Sequence, residues 1–172
     1  MSITAKQVSQ LIDTELEFVS DVRVIDHVRS LLVAPQIVQR FWNYGEPDTK
    51  YPCWSVLQHE SSNTEIAYSE FGFGPTYPWG LVFMSGSEDE MAMGMDSAWF
   101  PCFMETYFES KAACELPIWR VFSRVEGAFP GNSISEEMSW EEVWKRVYEL
   151  RESDPSTKYN CHHSIEYRKS EI

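Results

Sequence analysis

Cys53 and His59 stand six residues apart in Tyr51-Pro52-Cys53-Trp54-Ser55-Val56-Leu57-Gln58-His59, a run that reads as a β-strand. A thiol and an imidazole can form a nucleophile pair. Even spacing puts both on one face of a regular strand, but the usual rise separates them by ~20 Å. Cys53 is therefore expected to be a small buried residue. His59 is within cross-hairpin reach of Glu65 or Glu70, where an ordinary cross-strand polar pair is expected before an acid/base group. Cys161-His162-His163 offers three ligand types, yet adjacent residues do not converge on one ion and no second ligand pair stands at zinc-site spacing. Gly72-Phe73-Gly74 lacks the third glycine of a dinucleotide loop and the GK[ST] ending of a P-loop. Glu88-Asp89-Glu90 with Asp96 lacks EF-hand spacing. No catalytic residue, metal or cofactor is assigned, and the reading leans away from an enzyme.

The aromatic residues are the stronger signal. The 172 residues include 7 Trp, 8 Tyr and 10 Phe, more rings than an ordinary core requires. Most are expected inside. Trp42, Tyr44, Tyr51, Trp54, Phe73, Tyr77, Trp79 and Trp99, however, fall in and around segments bounded by Gly and Pro. Rings on stiff loops beside acidic side chains suit recognition of a basic protein, and they suit a small-molecule cleft nearly as well. The candidate binding residues are Trp42, Tyr44, Trp54, His59, Glu70, Phe73, Trp79, Asp96 and Trp99. A cleft in which Trp54, His59, Glu70, Trp79 and Asp96 converge is the alternative: a small-molecule-binding protein or an enzyme of unfamiliar type.

The formal charge of −13 repels nucleic acid and anionic membrane and steers a basic partner inward. No run approaches the ~18 apolar residues of a membrane span and no signal peptide is visible, so a cytoplasmic protein is expected. The four cysteines, without CxxC spacing, are expected to be reduced. A homo-oligomer with rings at its interface is a third reading.

These residues need a frame, and the length predicts a single domain over 1–172. Val8, Leu11, Ile12, Leu16 and Val19 mark a first helix capped by Ser2 or Thr4, with Glu15 and Glu17 off the apolar stripe. A second helix runs from Asp21 to Leu32 and stops before Pro35. Strands are expected over 36–44, 53–60, 64–70, 79–84 and, shortly, 91–95, with turns at Gly45–Asp48 and Gly86–Glu90. Pro101 opens a helix to about 110. Residues 113–127 fit helix or strand, and Phe129–Ser133 reads as a loop. Ser139 and Glu142 form a capping box for a helix to about 152, whose Trp140, Val143, Trp144, Val147 and Tyr148 stripe should dock. The tail over 154–172 is too polar to assign. The class is α+β: an antiparallel sheet of four to six strands over about 36–96, with helices at about 4–32, 101–110 and 139–152 packed against it.

Arg40-Phe41-Trp42-Asn43-Tyr44-Gly45, Tyr51-Pro52-Cys53-Trp54, Ile66-Ala67-Tyr68, Gly72-Phe73-Gly74-Pro75 with Pro78-Trp79-Gly80-Leu81, and Met93-Gly94-Met95-Asp96-Ser97-Ala98-Trp99-Phe100 together resemble a group of small bacterial cytosolic proteins, over about residues 31–110. That group brings no activity to carry over. In size, acidity and α+β style the chain is also similar to bacterial toxin-immunity proteins, with no shared motif. This second resemblance implies a non-enzymatic module that binds and blocks a basic toxin.

Overall fold

In the computed structural model, which describes residues 2–84, 93–94 and 97–167, each long helix starts where a side chain accepts from its free amides. Helix α1 (Ala5–Leu16) opens on Thr4, whose hydroxyl accepts from the Gln7 amide while the Gln7 side chain accepts from the Thr4 amide. It buries Val8, Ile12 and Leu16 at helical spacing. Helix α2 (Val22–Leu31) is capped by the Asp21 carboxylate and buries Val24 and Val28. Strand β1 (Leu32–Phe41) follows without a loop. It therefore starts and ends earlier than the expected 36–44. Pro35 lies inside it, tolerated because β1 is an edge strand.

With β2 (Lys50–His59), β3 (Thr64–Tyr68), β4 (Trp79–Phe83) and β5 (Ala98–Phe100), β1 forms an antiparallel sheet in the order β1-β2-β3-β4-β5. The class is α+β, with five strands in this sheet. Its two faces follow from the register. Trp54, Tyr68 and Trp79 line up on one face, and Ser55, Ala67 and Gly80 on the other. A bulge between Ser55 and Leu57 shifts the alternation of β2.

Helix α3 (Phe103–Phe108) covers the first face: the Phe103 ring lies 5.3 Å from Trp79, which lies 4.9 Å from Tyr68. Val8, Val24, Val28, Leu57, Ile66 and Tyr107 are fully buried in the same unit. The helix starts two residues beyond the expected Pro101, and Cys102 gives it no side-chain cap. Glu15 of α1 supplies the cap instead. Its carboxylate accepts from the Phe103 amide at 3.0 Å and the Met104 amide at 2.9 Å. Glu15 is consequently buried rather than off the stripe. Burial pushes its carboxyl up, and the two amide bonds oppose that shift.

Of the strand expected over 91–95, Met93 and Gly94 are described; the rest, the Gly86–Glu90 turn and Asp96 lie outside the described residues. Met93 makes a parallel bridge to Trp42, donating to the Phe41 carbonyl at 2.5 Å and accepting from the Asn43 amide at 2.9 Å.

These elements belong to the first of two compact units, Met1–Lys111 with Tyr167–Ile172; the second is Ala112–Glu166. The second unit holds β6 (Trp119–Val125), β7 (Ala128–Ser133), α4 (Trp140–Ser153) and β8 (Tyr159–His163), with an antiparallel sheet in the order β7-β6-β8. Three expectations are corrected or completed here. Residues 119–125 are strand, the expected loop at Phe129–Ser133 is strand β7, and the polar tail contributes β8. The apolar β6 offers both its edges, and ladder pairing overrides the weak propensity of its neighbours. Helix α4 has the expected Ser139/Glu142 capping box, but Val143 and Val147 are what it buries. Trp140, Trp144 and Tyr148 run along its flank, with the Arg151 guanidinium 5.8 Å from the Trp144 ring and 5.7 Å from Tyr148.

Candidate functional site

Beyond β1 the chain turns tightly, with the Gly45 amide donating to the Trp42 carbonyl at 2.9 Å and Thr49 to Glu46 at 3.2 Å. This turn presents Trp42 and Tyr44 to Phe73, which comes from the connection between β3 and β4. The three rings contact one another in every pair. Trp42 and Tyr44 lie 6.4 Å apart at 72°, Trp42 and Phe73 6.1 Å at 71°, Tyr44 and Phe73 6.3 Å at 80°. Further rings back them. Tyr51 stands 6.2 Å from Trp42, Phe71 is 5.8 Å from Tyr51, and Trp99 stacks on Phe73 at 5.9 Å and 30°.

Missing side chains make this packing feasible. A Cβ on Gly80 would lie 2.6 Å from the Trp99 ring, and one on Gly45 would lie 3.0 Å from both Trp42 and Tyr51. Trp42, Tyr51 and Trp99 rest on a small buried cluster of Cys53, Ala67, Val82 and Met93 on the face opposite α3. Tyr44 remains 62% exposed and Phe71 42%. The Trp42 Nε1–H is buried and has no hydrogen-bond partner among the described residues.

The same face carries a buried ion pair. Arg40, 0% exposed, donates to the Glu65 carboxylate and, at 3.1 Å, to the Phe83 carbonyl. The Ser55 hydroxyl donates to the other Glu65 oxygen at 2.7 Å. A charge pair so desolvated persists only where further hydrogen bonds complete it. Sequence reasoning did not single out Arg40; the available signal was an arginine in a run of apolar strand-formers.

Of the candidate residues, the structure brings together Trp42, Tyr44, Phe73 and Trp99. Trp54 and Trp79 lie on the opposite face, Trp79 only 2% exposed beneath α3. His59 is at the far end of β2, where its Nδ1 is 2.6 Å from the Ser62 hydroxyl and its Nε2 3.1 Å from that of Ser61. Glu70 is exposed and accepts from the Ile3 amide at 3.2 Å. Asp96 lies outside the described residues. Trp54, His59, Glu70 and Trp79 thus do not converge on one cleft.

The two chemical pairings are also corrected. The bulge puts Cys53 and His59 on opposite faces, and it puts His59 opposite Thr64 rather than on the Glu65 side. Burial pushes the Cys53 thiol up to about 11, which leaves it protonated and unreactive at neutral pH. Burial, with Cys114 nearby, pushes Cys161 up to about 12. Among the described residues no group of three His, Cys, Asp or Glu could hold a metal ion, and no helix is long and apolar enough to cross a membrane.

Phe71 was not among the candidates, although a ring between an acidic residue and Gly72 is a legible loop signal. Glu46 and Asp48, in the turn after Tyr44, are exposed and make no ion pair among the described residues. The Tyr51 hydroxyl reaches the Glu46 amide at 3.5 Å, which ties this acidic turn to the rings. Comparison with protein-family models, with curated proteins and with solved structures finds no match.

Proposed function

We propose that this chain is a non-enzymatic protein-binding module that docks a basic partner on the surface formed by Trp42, Tyr44, Phe71 and Phe73. One observation carries the reading: a supported cluster of rings, two of them widely exposed, continues into a turn whose exposed carboxylates Glu46 and Asp48 make no ion pair among the described residues. Rigid aromatic anchors contribute contact area at small entropic cost, and rim carboxylates select the sign of the partner's charge. The formal charge of −13 favours the same encounter at longer range. A basic toxin held inactive by this chain is the particular case considered from its resemblance to immunity proteins.

The test is cross-linked capture from the native cells with the wild-type chain and with Tyr44→Ala/Phe71→Ala, two exposed positions whose truncation leaves the sheet intact. The expected result is one basic partner enriched by the wild type and reduced at least ~10-fold by the double variant, as hot-spot truncation would produce. Partners retained equally by both proteins, or acidic partners, overturn the reading. If the captured protein kills cells alone and spares them when co-expressed with this chain, the immunity case follows.

A further inference from the structure

We infer that the outer edge of β1 pairs with the same edge of a second copy of this chain, about a two-fold axis at Val38. The inference uses the backbone of β1 and does not depend on the ring surface proposed above. Strand β1 is the edge of its sheet, so every second residue turns its amide and carbonyl away from β2. Two observations show which residues these are. Gln39 stands opposite Pro52, which has no N–H to give and whose carbonyl accepts from the Ser69 hydroxyl on the β3 side, so Gln39 is not bonded to β2 there. The Phe41 carbonyl, two residues on, accepts from the Met93 amide. Phe41, Gln39 and Ile37 therefore face outward. Ile37 is 52% exposed and Gln39 is also exposed, and neither has a backbone partner on the outer side among the described residues.

This outward stretch is bounded by chemistry at both ends. Pro35 has no N–H and lies within the irregular register between Leu32 and Gln36, while the Phe41 carbonyl is already occupied by Met93. One antiparallel register uses the open residues and only those. Ile37 lies opposite Gln39 of the second copy and Gln39 opposite Ile37, each pair exchanging both of its hydrogen bonds. Pro35 then falls opposite Phe41 of the second copy, so the missing donor meets the acceptor that needs none. Registers centred on Ile37 or Gln39 set an open residue against Pro35 or against the occupied Phe41. Val38 meets its own copy at the axis as a non-hydrogen-bonded pair, where β-branched side chains come closest. Charge also favours a second copy. Residues 32–39 carry no charge in a chain of −13, and Arg40 is buried in its pair with Glu65. An uncharged strand gives a basic partner no ion pair, whereas two acidic copies meet along it without facing like charges. The charged side chains that commonly prevent self-pairing of an edge are absent from this one.

The experiment is sedimentation equilibrium of the full chain from ~10 to ~500 μM, joined to amide hydrogen exchange over the same range. The expected result is a reversible monomer–dimer equilibrium that tightens at least ~3-fold from ~50 to ~500 mM salt, because salt screens the repulsion between acidic chains. Exchange of the Ile37 and Gln39 amides should slow as concentration rises. Ile37→Pro and Gln39→Pro each delete an outward amide that makes no bond to β2, and each should weaken the dimer at least ~10-fold. Ile37→Thr keeps the amide and should stay within ~3-fold of the wild type. A monomer throughout the range, a dimer that both proline variants leave intact, or exchange at Ile37 and Gln39 indifferent to concentration overturns the pairing. A loss with Ile37→Thr as large as with Ile37→Pro assigns the contact to side chains and overturns it too. So does a strand of another protein taken up on this edge by a chain that stays monomeric. Should circular dichroism show that a proline variant has not folded, amide exchange of the wild type decides.

Discussion

Glu15 shows how one side chain can decide where an element begins. Helix α3 has no cap of its own, so its first amides depend on a carboxylate from α1, 88 and 89 residues earlier in the chain. Glu15→Ala leaves those buried amides without an acceptor and is expected to lower stability by ~1–3 kcal/mol, read as the urea midpoint at constant m. The pH dependence has a definite sign. Burial raises the folded-state carboxyl above 4.5, so this group's stabilising effect is full below that value and declines as pH rises through the folded pKa. The stability of the wild type relative to Glu15→Gln should therefore fall across that window; a constant difference would show that folding leaves the pKa of this carboxyl unshifted. Periodicity placed Glu15 outside the apolar stripe, because a stripe reports only what is apolar. A buried acid is legible only together with the amides it serves, and those lie in another helix.

Between elements, the ion pair of Arg40 and Glu65 joins β1 to β3 across β2. Replacing one partner leaves the other charge buried, so Arg40→Met and Glu65→Gln should each cost ~3–5 kcal/mol. The double variant Arg40→Met/Glu65→Leu should cost at least ~1 kcal/mol less than the sum, measured as a double-mutant cycle by denaturant unfolding. A strictly additive cycle would remove the pair as a unit. At this scale the sequence was readable in part. The alternation Ile66, Tyr68 against Glu65, Ala67 predicts the faces of β3 correctly, because a regular strand leaves no other choice. It misassigns Cys53 and His59, because the bulge at Val56 adds one residue that no local propensity announces. Strands β7 and β8 were illegible for a related reason: their polar and Pro-containing sequences become strands through pairing with β6, a long-range partner.

For the molecule as a whole, charge and ring content were legible from composition, and the location of the rings was not. Gly and Pro correctly marked the loops carrying Trp42, Tyr44 and Phe73, while Trp79 followed its strand into the core. The global charge of −13 makes a kinetic prediction. If a basic partner docks as proposed, raising salt from ~50 to ~500 mM should slow its association by ~10-fold or more and change dissociation far less, in stopped-flow measurements. An association rate indifferent to salt would remove electrostatic steering from the account. The ring surface has a further consequence, one of timing. Its members come from the turn after β1, the start of β2, the connection between β3 and β4, and β5, so every strand boundary of the sheet must be closed before Trp42, Tyr44, Phe73 and Trp99 meet. The surface exists only in the finished sheet. A partner that binds it distinguishes the completed fold from any partly assembled chain, and by mass action it prolongs the lifetime of the completed fold.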